Sequence, residues 1–268
     1  MNTSKFRVEP GKKAGLADRD PGATPGAAGK DAANRALAKN LERLAELQFA
    51  LYAEQRQSLL VVLQAMDTGG KDGVIRHVFT GFNPQGLRVV AFKVPTAEEA
   101  SHDFLWRIHR AAPARGEIVV FNRSHYEDVV VVRVKRLVDE ATCSRRYDRI
   151  NQFEEQLAEA GTRVVKLFLN IDRDEQKERL QARLDDPDRR WKFALGDLEE
   201  RKRWPKYMEA YDDALARCST RTAPWYVIPA NKKWYRNLVA SEILLEHLEA
   251  MKPAFPKSSL DPKKIRIV

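Results

Sequence analysis

The chain has 268 residues, of which 43% are hydrophobic and 32% charged, and its formal charge of +9 favours an anionic partner. A chain of this length buries a large core, and its two cysteines, Cys143 and Cys218, lack CxxC spacing. Composition therefore excludes a disulfide scaffold and a cysteine zinc site and favours a reducing, cytoplasmic location. Neither a membrane-length apolar run nor a signal-peptide core is visible, so we expect a soluble intracellular protein without a membrane partner.

The first 34 residues predict an irregular arm. Pro-Gly pairs recur there without apolar periodicity, which is typical of loops. Leucines at three- and four-residue steps then predict an amphipathic helix from Asp31 to about Gln57. We expect one domain over residues 35–252 and a basic tail over 253–268.

Five short apolar runs predict strands that are buried on both faces of a parallel sheet. They cover residues 58–64, 87–92, 117–121, 163–169 and 225–228. Helical stretches separate them by more than a hairpin allows, which predicts a three-layer α/β/α fold. The run 128–134 is β-branched like a strand, but it follows the third strand too closely to pair with it in parallel, so we expect a helix.

A glycine-rich turn (residues 65–73) follows the first predicted strand and leads into a helical pattern. Backbone N–H groups and a helix N-terminus at such a turn bind phosphate oxygens, and Lys71 adds a positive charge. The Walker A pattern is matched except that Ala65 replaces the first glycine and Asp72 replaces the hydroxyl residue that contacts magnesium. We therefore assign the metal ligand to Asp67. The phosphate-binding candidates are Thr68, Gly69, Gly70, Lys71, Asp72 and Gly73.

The third predicted strand ends in a second polar cluster. A strand ending in a carboxylate often holds the metal in phosphoryl transfer, and here Asn122 occupies that position. Its amide oxygen is a candidate metal or water ligand, Glu127 and Asp128 restore the negative charge, and Arg123 is expected to face an anionic substrate. The alternative is a polar turn with a solvated arginine.

Arginines are concentrated in the lid segment, about residues 175–205. Arg179 and Arg183 lie one helical turn apart, and Arg189 and Arg190 follow the break at Pro187. Cations on two short helices suit a lid that closes over phosphate oxygens. A solvated helical hairpin rich in salt bridges is the alternative, because acidic residues nearly balance the basic ones.

Taken together, these motifs resemble the polyphosphate kinase 2 family over about residues 35–252. The matching stretches are AMDTGGKDG (65–73), NPQG (83–86), FKVPT (92–96), SHDFLWR (101–107), FNRSHYED (121–128) and KKWYRN (232–237). Asn122 and the glycine-rich turn look like the class III branch, whose members accept both AMP and ADP.

The resemblance implies a P-loop kinase-like fold with a helical lid. It also implies phosphoryl transfer that depends on Mg²⁺, with Mn²⁺ as the alternative ion, between inorganic polyphosphate and adenine nucleotides, with guanine nucleotides left open. We expect a homo-oligomer, either a dimer or a tetramer, and we do not expect nucleic acid as a partner. By position, Asp67 resembles the magnesium aspartate, Lys71 the phosphate lysine, Arg123 the arginine after the third strand, Arg183 a lid arginine, and Glu127 an acid tied to AMP use.

Two other functions fit parts of the same pattern. An ATP-dependent nucleoside monophosphate kinase would share the fold and the lid. A non-enzymatic polyanion-binding protein with a decayed turn would need only spaced cations, because charge by itself does not distinguish nucleic acid from polyphosphate. Use of ATP as donor would favour the first, and phosphate binding without turnover would favour the second.

Overall fold

Five parallel strands form the centre of the computed structural model, which describes residues 1–260 and 264–266. Residues 261–263 and 267–268 of the predicted basic tail lie outside the described residues. The sheet order is β2-β3-β1-β4-β5, with all neighbours parallel. The strands are β1 Ser58–Gln64, β2 Leu87–Ala91, β3 Ile118–Asn122, β4 Thr162–Asn170 and β5 Trp225–Pro229. The parallel sheet and all five predicted strands are confirmed.

Ten α-helices are present in the described residues. They are α1 Lys30–Glu54, α2 Lys71–Val78, α3 Ala97–Ala100, α4 Trp106–Ala111, α5 Glu127–Val134, α6 Glu140–Glu159, α7 Arg173–Asp185, α8 Leu195–Lys202, α9 Trp204–Cys218 and α10 Lys233–Met251. The β-branched run after the third strand is helical, as expected: it forms α5, which buries Val129, Val130 and Val134. Packing against the sheet therefore outweighs the strand propensity of consecutive valines.

Two apolar layers cover the sheet, one on each face. Successive side chains of a strand point to opposite faces, so Leu60 and Val62 of β1 join one layer and Leu59 and Val61 join the other. Residues of α5, α6 and α9 complete the first layer, and residues of α1, α2 and α10 complete the second. The predicted three-layer α/β/α architecture is confirmed.

The amino-terminal arm lies against the domain and contributes to its core. It contains two 3₁₀ turns, Ser4–Phe6 and Leu16–Asp18, and α1 begins at Lys30, inside the range predicted for the arm. Phe6 and Val8 are buried, and the amide of Val8 donates to the carbonyl of Trp225. The arm thus covers the β5 edge of the sheet. No helix within the described residues has the length and apolar composition needed to cross a membrane.

Candidate functional site

Two polar turns meet where β1 and β3 end. The strands pair in parallel with Leu63 opposite Asn122, so the turns that follow them leave the same edge of the sheet. The amide of Arg123 donates to the carbonyl of Leu63 at 3.1 Å, and Nε2 of Gln64 donates to Oγ of Ser124 at 3.2 Å. Ligands of open parallel sheets bind at this edge, so the structure brings both predicted motifs to the expected place.

The glycine-rich turn is tightly folded and ends at the N-terminus of α2. Gly70 has φ 106°, a left-handed conformation that glycine adopts without cost, whereas Thr68 has φ 63°. The hydroxyl Oγ1 of Thr68 is buried and has no hydrogen-bond partner in the described part of the chain. The first N–H groups of α2 have no partner within the helix, so the turn presents donors suited to an anion.

Lys71 lies at the start of α2 with its side chain folded back over the turn. Its Nζ donates to the carbonyl of Ala65 at 3.1 Å, and the residue is buried. Burial, followed by the positive charge of Arg123, lowers the pKa of Lys71 to about 8, although Asp67 and Glu127 act in the opposite direction. An anion placed beside this ammonium group would favour its protonated form.

Arg123 links the two turns through its guanidinium group. Nη2 donates to Oδ1 of Asp67 at 2.7 Å, and Nη1 donates to Oε2 of Glu127 at 3.2 Å. Burial alone would lower its pKa, but the two carboxylates outweigh burial and raise it. Its φ of 64° is unusual for a non-glycine residue, and such strain is concentrated at functional sites. The other predicted acid after the third strand, Asp128, lies beside Arg107 and Arg146.

Asp72 connects the turn with β3 and with the lid segment. Its Oδ1 accepts from Nδ2 of Asn122 at 3.0 Å, and its Oδ2 accepts from Nζ of Lys192 at 3.2 Å. Burial alone would raise the pKa of Asp72, but these two partners lower it. Because a carboxylate repels phosphate, the group of Asp72 suited to the predicted phosphate role is its backbone N–H. Lys192 belongs to the predicted lid segment but is not among the candidate phosphate-binding residues predicted from the sequence.

The four predicted lid arginines have different surroundings. Arg179 donates to the carbonyl oxygens of Thr68, Ala230 and Asn231 at 2.6–3.0 Å and pairs with Glu175 at 2.6 Å. Its guanidinium group thus fastens the turn to the loop after β5. Arg183 is half-buried, and its positive charge acts to lower the pKa of Asp197, against the larger opposing effect of burial. The remaining two are exposed, namely Arg189 and Arg190.

The oxygen donors near the turn suit a hard divalent cation. Asp67, Glu127 and Asn122 offer carboxylate and amide oxygens, the ligand types that Mg²⁺ prefers. No group of three or more His, Cys, Asp or Glu residues that could hold a metal ion occurs among the residues described. Mg²⁺ is usually held by one or two carboxylates together with substrate phosphates, so this donor set fits an ion that binds with a phosphate.

One further cation, Arg236 of α10, lies directly behind the turn. It is only 3% exposed, and a methyl group added at Gly70 would overlap its Nη1 atom. The residue belongs to the stretch 232–237, and its role is not evident from the sequence. Its position depends on how α10 packs on α2, which local sequence does not reveal.

Comparison with known proteins gives a consistent result. A family model described as Polyphosphate kinase 2 (PPK2) matches residues 27–256. An AMP/ADP-polyphosphate phosphotransferase of Meiothermus ruber is 53% identical over 98% of this chain and 99% of its own length. An ADP-polyphosphate phosphotransferase of Rhodopseudomonas palustris is 43% identical over 97% of this chain and 94% of its own. The crystal structure of a polyphosphate kinase 2 from Arthrobacter aurescens superposes with a TM-score of 0.93 at 49% identity, covering 97% of this chain and 93% of that one.

Proposed function

The chain belongs to the polyphosphate kinase 2 family, and on this premise we propose that it transfers phosphoryl groups between inorganic polyphosphate and AMP or ADP, giving ADP or ATP. The observation that carries the proposal is the Asp67–Arg123–Glu127 cluster directly beside the glycine-rich turn. Together, the turn and the cluster offer backbone donors for phosphate, a cation for the transferring group and carboxylates for a divalent ion. The names of the two relatives support the same reaction.

The proposed chemistry asks the protein mainly for positioning and charge neutralisation. Backbone N–H groups of the turn and Lys71 bind oxygens of the transferring phosphoryl group, and Arg123 stabilises charge on its equatorial oxygens. The acceptor phosphate of AMP or ADP is already ionised at pH 7, so no general base is required. Most of the rate enhancement then comes from orientation, because the reacting oxygens are held in line.

We assign the divalent ion, Mg²⁺, to Asp67, with Asn122 as a second oxygen donor. When bound, such an ion would neutralise negative charge on the phosphate oxygens. Arg123 contacts Oδ1 of Asp67 and fixes the orientation of that carboxylate. Nδ2 of Asn122 is held by Asp72, which turns the amide and defines where its oxygen points.

The lid segment is proposed to close over the bound phosphates. Lys192 of this segment already contacts Asp72 of the glycine-rich turn. Closure would bring Arg189 and Arg190 toward the phosphate chain and exclude water, which limits hydrolysis.

Glu127 is the acid we connect with use of AMP. Family membership also supports a homo-oligomer and a cytoplasmic location.

A donor comparison tests this function. Purified protein is incubated with Mg²⁺ and AMP or ADP, with either inorganic polyphosphate or ATP as the donor, and nucleotides are separated by chromatography. We expect ADP and ATP to form with polyphosphate, and transfer from ATP to AMP to be much slower. Equal or faster use of ATP would instead indicate a nucleoside monophosphate kinase. Phosphate binding without any product would indicate a polyanion-binding protein.

A further inference from the structure

Arg236 packs against the back of the glycine-rich turn. It lies in the first turn of α10, and its guanidinium group fills the space where side chains at Gly70 and Gly73 would be. A methyl group at Gly73 would lie 2.6 Å from Nη2 of Arg236. Gly73 does not have a positive φ, and glycine inside a helix is less favourable than alanine. Room for the guanidinium group therefore explains the glycine at this position.

Among residues 1–260 and 264–266, the charge of Arg236 has no acidic partner. Its Nε and Nη2 donate to Oδ1 of Asn237 at 3.1 and 2.8 Å, and this amide oxygen is neutral. In the described part of the chain no carboxylate forms an ion pair with it, and the charge that acts on it is the positive one of Arg179. Burial, with a further effect of Arg179, lowers the pKa of Arg236 to about 10.

A buried charge without a counter-ion is costly, so it is normally paired or neutralised. The anion nearest to Arg236 in the proposed reaction is the phosphate on the other side of the turn. Attraction across a thin layer of backbone in the protein interior is much stronger than in water.

We propose that Arg236 is a positioning residue whose buried charge is balanced by the phosphate bound in the glycine-rich turn. This inference rests on the proposed function, because it takes the turn as the phosphate site. Asn237 has a matching role: as a neutral acceptor it orients the guanidinium group and leaves its charge available to the ligand. An aspartate in its place would cancel that charge from within the protein.

Asn237→Asp is the decisive variant because it keeps size and shape. We expect it to weaken the binding of inorganic tripolyphosphate, measured by titration calorimetry with Mg²⁺, by roughly tenfold. The ligand-free variant should melt no lower than wild type, since the new carboxylate pairs with a cation already buried. Arg236→Gln should weaken binding as well, and Arg236→Lys should weaken it less because it retains a charge.

His247→Gln serves as the matched control, because His247 is a buried polar residue of the same helix that bonds to Tyr226 far from the turn. It should alter the melting temperature without altering tripolyphosphate affinity. If wild type binds tripolyphosphate and Asn237→Asp binds it equally well, Arg236 has only a structural role and the inference is wrong. If wild type itself does not bind, the proposed function fails instead. Should Arg236→Gln not fold, Asn237→Asp still decides the question.

Discussion

Two buried cations in this protein, Lys166 and Arg236, have opposite surroundings. Lys166 of β4 is fully buried, and its Nζ donates to Glu154, to the hydroxyl of Tyr126 at 2.9 Å and to the carbonyl of Cys218 at 2.6 Å. Arg236 is almost as deeply buried but is bonded to a neutral amide. The protein neutralises the first charge itself and leaves the second for a ligand.

Lys71 resembles Arg236 because it is a buried cation bonded to a neutral acceptor. Its ammonium group is buried and bonded to a backbone carbonyl, and its pKa is lowered, whereas Lys166 holds the pKa of Glu154 below its ordinary value against the opposing effect of burial. Among the described residues, the buried lysine and arginine that have an internal acid, Lys166 and Arg107, are neutralised within the protein, whereas Lys71 and Arg236 lie at the glycine-rich turn. Variants of each kind should separate stability from phosphate chemistry.

The largest effect on stability is expected from Lys166→Met. Removing the cation leaves the Glu154 carboxylate buried with its contacts to Tyr126 and His125 but without the lysine charge, which should lower the free energy of unfolding by about 3–5 kcal/mol. Urea denaturation followed by circular dichroism measures it. The double variant Lys166→Met/Glu154→Gln should recover part of the loss, and turnover per folded molecule should stay near wild type. Unchanged stability would contradict a structural role for Lys166.

The largest effect on turnover is expected from Asp67→Ala, which removes the proposed metal ligand but no cation. Turnover should fall at least about 100-fold, the scale of losing one electrostatic contact to a transition state, while tripolyphosphate affinity stays within a few-fold of wild type. Coupled assay and calorimetry measure the two quantities. Asp148→Ala, which changes an exposed acid on α6, should affect neither. Retained turnover would refute the assignment of Asp67.

The lowered pKa of Lys71 predicts a smaller effect, which is a pH dependence of kcat/KM. Because its pKa in the folded protein is about 8 rather than 10.5, it is protonated below pH 8 and loses its charge above it. The ratio kcat/KM for polyphosphate, which reports on the free enzyme, should fall as pH rises through 8. The unfolded chain keeps the proton up to higher pH. The contribution of Lys71 should therefore make the free energy of unfolding increase with pH between about pH 8 and 10. Lys71→Arg, charged throughout, should abolish this decline in kcat/KM, and persistence of the decline would contradict the assignment.

Lys192→Ala should have the smallest effect. Its contact with Asp72 is exposed, and such ion pairs contribute less than about 1 kcal/mol. We expect KM for polyphosphate to rise by no more than about fivefold, with kcat nearly unchanged. Lys202→Ala removes a comparable exposed ion pair with Glu199 in the same lid segment and should leave KM unchanged. Equal KM values for both variants would mean that Lys192 does not assist lid closure.

Much of this arrangement is visible in the sequence because it is encoded locally. The strands appear as apolar runs, and α5 is identified as a helix by its distance from β3 rather than by its valines. Asp67, Lys71, Arg123 and Glu127 come together because parallel strands end at one edge of the sheet. Their individual roles stay predictions.

Long-range contacts explain what the sequence did not predict. Arg236 and Lys192 reach the turn through the packing of α10 and the course of the lid segment, and local sequence does not reveal either contact. Arg179 was predicted from its spacing to Arg183, but the spacing does not reveal that carbonyl oxygens of Thr68, Ala230 and Asn231 accept from its N–H groups. Side-chain partners depend on tertiary structure, whereas the turn depends on its own residues.

A crystal structure of the complex with Mg²⁺ and tripolyphosphate tests the central claim most directly. We predict a phosphate against the backbone of Gly70 and Gly73, contacted by Lys71 and Arg123, with the ion on the Asp67 side and Arg236 behind the turn. A phosphate chain bound to the exposed arginines of the lid segment, with the turn empty, would contradict the account.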